Sequence, residues 1–140
     1  MKLKGFVTSD SFSAKSLKVL TFLKEAEGRY RSIGTAMDYP FIFEEMKKNG
    51  YEIDVRMIRL VMEEACDNGL IDSLTTPVDS EDGYFFMRID ISGKGLRFVE
   101  AVERLAEQEG KKAPWLWSFV EKAADLAQLM SFAVQAFGRS

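Results

Sequence analysis

The sequence predicts a mainly α-helical α+β fold, and three observations support this prediction. Hydrophobic residues make up 46% and charged residues 29% of the 140 residues, which is the balance of one packed domain. Apolar residues recur at helical spacing in five segments. Two segments with strand character stand between the third and fourth of these. The predicted order is therefore three helices, two strands, a fourth helix and a terminal helix.

The first two helices are bounded by glycine and proline. The first is predicted over residues 14–27, with Gly28 ending it. Residues 29–38 are expected to form a loop or a short strand. Pro40 suits the first turn of the second helix, which the pair Asn49-Gly50 stops.

The third helix carries the clearest terminal signals. Asp54 is placed to cap its exposed backbone amides, and Gly69 supplies a left-handed stop. Its apolar residues recur on one side, which is expected to be buried: Ile58, Val61, Met62 and Ala65.

The strands are predicted over residues 70–75 and 84–91, joined by a polar hairpin loop. In the second strand four apolar residues alternate with four others, so they are expected to share one face: Phe85, Met87, Ile89 and Ile91. Ser92 is placed to cap a fourth helix that reaches about Gln108.

The segment 113–140 is predicted to form one amphipathic helix, after a domain that spans residues 1–112. Its apolar side needs a covering surface, either on the same chain or on a second copy. For the second case the predicted dimer contacts are Trp115, Phe119, Leu126, Met130 and Phe137. The aromatic residues here could instead clamp an aromatic effector, but packing is the favoured interpretation.

Catalytic, metal and cofactor sites are not expected. The chain has no histidine, which removes the Ser-His and Cys-His nucleophile pairs and the usual zinc and iron ligand sets. Its one cysteine, Cys66, can form neither a disulfide within the chain nor a metal site alone. The run Ser92-Gly-Lys-Gly95 lacks the first glycine and the final Ser/Thr of a phosphate-binding loop. We therefore expect a protein that is not an enzyme.

A cytoplasmic location is expected. The N-terminal lysines are not followed by an apolar run of signal-peptide length. The longest uncharged run, residues 126–138, is shorter than the roughly 20 apolar residues that cross a bilayer. The membrane is therefore not an expected partner.

Two sequence segments carry a resemblance to a known superfamily. They are Ile58-x-x-Val-Met-x-x-Ala-Cys-x-x-Gly69-Leu-Ile71 and Ile89-Asp-Ile-Ser-Gly-Lys-Gly-Leu-Arg-Phe98. With the first two helices they resemble the winged helix-turn-helix of MarR-, PadR- and ArsR-like regulators, over about residues 14–105. The pattern also resembles small winged-helix proteins encoded in bacterial prophages. This resemblance implies a winged-helix fold, and function must be argued from the residues themselves.

In a DNA-binding winged helix the third helix enters the major groove. Here its N-terminal half carries Arg56 and Arg59, which could pair with guanine or phosphate. Lysines on the first two helices could contact the phosphate backbone: Lys15, Lys18 and Lys24, and Lys47 and Lys48. The leading hypothesis is a dimeric regulator that binds double-stranded DNA.

Acidic residues favour an alternative. Residues 32–74 carry nine acids against four basic residues, and the expected wing tip adds Asp79, Glu81 and Asp82. Arg59 lies four residues from Glu63, so the two could form an ordinary helix ion pair. The second hypothesis is a protein-interaction module of phage origin that binds a host protein.

The consecutive aromatics Tyr84, Phe85 and Phe86 also have two interpretations. They could stack on the bases of single-stranded nucleic acid. They could instead pack a sheet strand against the core, which is the favoured interpretation.

Overall fold

The fold is mainly helical with one small antiparallel sheet, as predicted. A computed structural model describes residues 12–31, 37–77, 84–109 and 127–131 of the chain. The elements in chain order are α1 (Phe12–Ala26), α2 (Tyr39–Lys48), α3 (Val55–Asp67), β1 (Ile71–Pro77), β2 (Tyr84–Ile91) and α4 (Gly93–Glu109). Residues 127–131 are also helical. None of the helices in this part of the chain is long and apolar enough to cross a membrane.

Side-chain caps fix where α2 and α3 begin. The Asp38 carboxylate accepts a hydrogen bond from the Phe41 amide at 2.8 Å, with Pro40 in the first turn of α2 as expected. The Asp54 carboxylate accepts from the Met57 amide at the same distance, which confirms the predicted cap of α3. Six residues connect α2 to α3, so α3 begins close to the end of α2.

The two strands pair with a shift in register. Ile71 lies opposite Ile91 and Leu74 opposite Arg88, but Thr75 lies opposite Phe86, so Met87 is an extra residue in β2. This bulge places Phe86 and Ile89, three positions apart, both in the core, where they are 3% and 2% exposed. The strict alternation predicted for β2 is therefore wrong, although its bounds are confirmed. The first strand runs two residues further than expected.

Met37, in the connection before α2, also pairs with the sheet. Its amide and carbonyl exchange hydrogen bonds of 2.7 Å with the carbonyl and amide of Phe86. Within the expected loop or short strand, Met37 thus forms an isolated antiparallel bridge beside β2. It ties the chain between α1 and α2 to the hairpin that follows α3.

The end of α3 and the start of α4 are joined through Ser92. Its hydroxyl donates to the Gly69 carbonyl at 2.6 Å and accepts from the Gly95 amide at 2.9 Å, and its own amide donates to the Leu70 carbonyl at 3.0 Å. Ser92 therefore caps α4, as expected, and also pins that cap to the exit of α3. We call these contacts the α3–α4 junction.

One core contacts every helix of the domain. Fully or almost fully buried residues come from all four helices and both strands, and from the terminal segment, where Leu129 is 0% exposed and Met130 packs against the core. Of the terminal region 113–140, only residues 127–131 lie in the described part of the chain. At that point the terminal helix buries a side chain within its own molecule.

Candidate nucleic-acid interface

The candidate interface is the outward face of α3. Helical spacing divides this helix into a buried side of Ile58, Val61, Met62 and Ala65 and an outer side of Arg56, Arg59, Leu60, Glu63 and Asp67. The buried side has the residues predicted from the sequence. The outer side carries two cations in its N-terminal half and two carboxylates in its C-terminal half.

Arg56 and Arg59 both lie on the exposed surface, but their surroundings differ. The Arg59 guanidinium donates to the Glu63 carboxylate at 3.1 Å, which is the local ion pair that the sequence left open. Within the described residues, Arg56 has no carboxylate at ion-pair distance. An exposed pair of this kind is worth little, about 0.3–0.5 kcal/mol, so Arg59 can exchange Glu63 for another anion at small cost.

The two lysines at the end of α2 are the next predicted contacts. Lys47 and Lys48 are both exposed at the end of the helix. The Lys48 ammonium lies 3.1 Å from the Glu45 carboxylate, and the Lys47 ammonium lies 6.0 Å from the centre of the Phe43 ring. Of the two, Lys47 is the one whose charge is not matched by an acid within the described residues.

The lysines of α1 are less accessible than expected for phosphate contacts. Lys15 and Lys18 are half-buried. The Lys24 ammonium lies 2.8 Å from both carboxylate oxygens of Glu103 on α4. Lys24 therefore serves to join two helices, and its charge is already paired.

Only some of the other predicted residues lie in the part of the chain that the structure describes. The Phe86 ring packs edge to face against Tyr39, with ring centres 5.4 Å apart, so it is a core residue as favoured. The side chains of Tyr84 and Phe85 lie outside the described residues. The same holds for the wing-tip acids Asp79, Glu81 and Asp82 and for four of the predicted dimer contacts: Trp115, Phe119, Leu126 and Phe137.

Two exposed leucines were not predicted from the sequence. Leu60 is 44% exposed in the middle of the outer face, between Arg56 and Glu63. Helical spacing places Leu60 on the exposed side of α3. Most leucines are buried, so a single leucine in the sequence does not by itself indicate an exposed position. Leu74 on β1 is 55% exposed, because its strand neighbours Ser73 and Ile71 face α3 and the core.

Among the described residues no group of three potential ligands could hold a metal ion. Comparison with protein-family models, curated proteins and solved structures found no match to this chain. The function must therefore be argued from the geometry alone.

Proposed function

We propose that this protein is a winged-helix DNA-binding regulator that inserts α3 into the major groove. The observation that carries the proposal is the division of α3, whose inner side is fully buried while Arg56 and Arg59 stand exposed in its N-terminal half. That half is the part of a recognition helix that faces base edges.

The arrangement of the neighbouring elements supports this proposal. A short connection joins α2 to α3, a two-stranded hairpin follows α3, and Met37 bridges to that hairpin from the connection before α2. A helix pair followed by an antiparallel hairpin is the order expected of a winged helix. In such a domain the hairpin contacts the DNA backbone beside the recognition helix.

Arg56 and Arg59 have separate proposed roles in the DNA contact. Arg56 is available for a base or phosphate contact without first breaking an ion pair within the described residues. Arg59 would move from Glu63 to a phosphate or a guanine, which costs little because that pair is exposed. Lys47 is the further cation proposed for backbone contacts, with Lys48, Lys15 and Lys18 completing the proposed set.

The experiment measures binding to a random-sequence duplex pool at low and moderate salt, followed by selection and sequencing of the retained DNA. The test variant is Arg56→Ala with Arg59→Ala. The matched control is Arg97→Ala with Arg104→Ala, which removes two exposed arginines from α4. We expect the test variant to lose about tenfold or more in affinity, since one good base contact is worth about 1–3 kcal/mol. Equal losses in both variants would remove α3 from the interface.

A dimer is part of this proposal. Leu129 is covered by its own molecule and Met130 partly so, and the residues proposed to bury against a second subunit are Trp115, Phe119, Leu126 and Phe137, with the exposed part of Met130. Sedimentation velocity of the full chain and of Phe119→Glu tests this point. We expect about twice the 15.9 kDa chain mass for the parent and the chain mass for the variant. A parent that sediments as a monomer over the whole concentration range would contradict it.

A second candidate function is supported by a different observation on the same face. Leu60 is 44% exposed between charged neighbours, and Glu63 and Asp67 extend the face with negative charge. Exposed apolar and acidic residues suit a protein partner better than DNA phosphates. Absence of DNA binding even at low salt, together with capture of a bacterial protein that Leu60→Glu abolishes, would favour this function over the first.

A further inference from the structure

A groove lies beside α3, on the side that faces the sheet. Its volume is about 400 Å³, within the range of about 300–1,000 Å³ that is typical of small-molecule sites. Its walls are the C-terminal half of α3, the first residue of α2 and the two strands. Neither the proposed DNA contact through Arg56 nor the proposed dimer contact uses it.

The base of the groove is apolar and aromatic. Tyr39 and Phe86 meet there with an angle of 81° between their ring planes, and Met62 lies beside them on α3. All three side chains are almost fully buried, at 6%, 3% and 1% exposed for Tyr39, Phe86 and Met62, so the base is rigid and presents only a small part of each. Such a surface favours an apolar body.

The wall on α3 is negatively charged. Glu63 and Asp67 are four residues apart, so both carboxylates lie along the same side of the helix and both line the groove. None of the described lining residues is a lysine or an arginine. The Arg59 guanidinium touches Glu63 and offsets part of its charge, while Asp67 is exposed. The net charge of the described lining is therefore negative.

Cys66 lies on the wall between these carboxylates. Its thiol lies 3.6 Å from the Ser73 hydroxyl across the groove and is partly buried. Burial raises the pKa of this thiol, the Ser73 hydroxyl lowers it, and Asp67 and Asp72 raise it. Carboxylates raise a thiol pKa because a nearby negative charge disfavours the thiolate.

We propose that this groove binds a small organic cation with an apolar body, of the class of quaternary and protonated aryl-alkyl amines. The aromatic base and Met62 would bury the apolar body, and the carboxylates of Glu63 and Asp67 would attract the cationic centre. Neutral or anionic molecules of the same shape lack the second interaction. Glu63 also pairs with Arg59, a proposed DNA contact, and occupancy of the groove can be measured on the protein without DNA.

The experiment uses Cys66 as an internal probe, since it is the only cysteine of the chain. The rate of its alkylation by an uncharged maleimide is measured with increasing benzyltrimethylammonium, and amide chemical shifts of residues 62–73 are followed in parallel. We expect a saturable decrease in the alkylation rate, with shifts at the same concentrations. Benzyl alcohol and benzenesulfonate are the neutral and anionic comparisons, and neither is expected to protect the thiol.

Charge variants make the test specific. Glu63→Gln with Asp67→Asn should raise the half-saturating concentration of benzyltrimethylammonium by about tenfold, as expected for the loss of two partly exposed attractive charges. Glu44→Gln with Glu52→Gln removes two exposed carboxylates from outside the groove and should leave it unchanged. No change in alkylation or amide shifts into the millimolar range, or equal protection by benzyl alcohol, would overturn the proposal.

Discussion

Gly95 occupies the place where α4 comes nearest to the exit of α3. A Cβ atom at this position would lie 2.2 Å from the Leu70 carbonyl oxygen and 2.9 Å from the Ile91 side chain. Because the nearest atom belongs to the backbone, it cannot rotate away. The glycine that resembles part of a phosphate loop is thus required by the packing of α4 against the chain that leaves α3 and against β2.

We expect Gly95→Ala to lower the free energy of unfolding by about 2–3 kcal/mol, the upper range for overpacking. Urea unfolding followed by circular dichroism measures this change. Gly93→Ala is the matched control, because its Cβ would meet only an Arg97 side-chain nitrogen at 3.4 Å. The control should stay within about 0.5 kcal/mol of the parent or become more stable through higher helix propensity. Equal effects at both glycines would contradict the close approach.

Two buried tyrosines hydrogen-bond to carboxylates. The Tyr30 hydroxyl donates to Glu45 at 3.0 Å and the Tyr51 hydroxyl donates to Glu25 at 2.8 Å. Burial first, and then the Glu45 carboxylate, raise the pKa of Tyr30 to about 12. Burial and Glu25 raise the pKa of Tyr51 further. Both hydroxyls are held protonated in the folded chain.

The folded protein should therefore lose stability in alkali. Near pH 10 the unfolded chain releases these two protons while the folded chain keeps them, so stability is fully present below this pH and falls as the pH rises towards about 12. Urea midpoints measured across this range should decrease, with a smaller decrease in Tyr30→Phe. Absorbance at 295 nm that shows all tyrosines ionising near pH 10 in the folded protein would contradict these pKa shifts.

At the scale of elements, the helices could be predicted because their signals are local. The Asp54 side chain caps α3 by accepting a hydrogen bond from the amide of Met57, three residues later. Gly50 and Gly69 adopt the left-handed conformation where helices end. The bulge at Met87 could not be predicted, because it depends on how the two strands meet. The Met37 bridge likewise depends on a partner far along the chain.

The candidate interface was predictable to a similar degree. Helical spacing places Arg56 and Arg59 on the outer face, but the sequence does not choose between a free and a paired Arg59. Lys24 looked like a phosphate contact because its partner, Glu103, lies on another helix. The groove beside α3 was not predicted, since its walls come from separate elements that only the folded chain brings together.

The terminal helix contributes to the core at Leu129. We expect Leu129→Ala to lower the free energy of unfolding by about 2–5 kcal/mol, as for other fully buried leucines. Leu60→Ala, at a helical leucine that is 44% exposed, is the control and should change stability by about 1 kcal/mol or less. Thermal and urea unfolding of both variants make the comparison. A variant at Leu129 as stable as the control would show that this segment does not pack on the domain.

At the scale of the whole molecule, a net charge of -3 limits how strongly DNA can be held. Of the six proposed contacts, Arg59 and Lys48 are paired with acids within the described chain. A phosphate contact by either of these two frees a carboxylate, which takes up a cation and offsets the counterion released from DNA. The cations that count in full are therefore four: Arg56, Lys15, Lys18 and Lys47. The electrostatic part of binding should therefore be modest.

This count predicts the salt dependence of DNA binding. With about 0.9 counterions released for each phosphate contact, a plot of log affinity against log salt should have a slope near -4 for one subunit and near -7 for a dimer. Fluorescence anisotropy over a range of salt concentrations gives the slope. A slope near zero with measurable affinity would mean that the lysines and arginines named here do not contact phosphate.

The α3–α4 junction closes the hairpin at its base, because Ser92 binds the backbone of Gly69 and Leu70 at the point where Ile71 pairs with Ile91. The ends of the hairpin are thus held by contacts that do not involve the residues between the strands. Lengthening a closed loop costs only about 0.6 kcal/mol for each doubling of its length. The connection between β1 and β2 is consequently a suitable place to graft a foreign peptide, which the rest of the domain would display without having to refold around it.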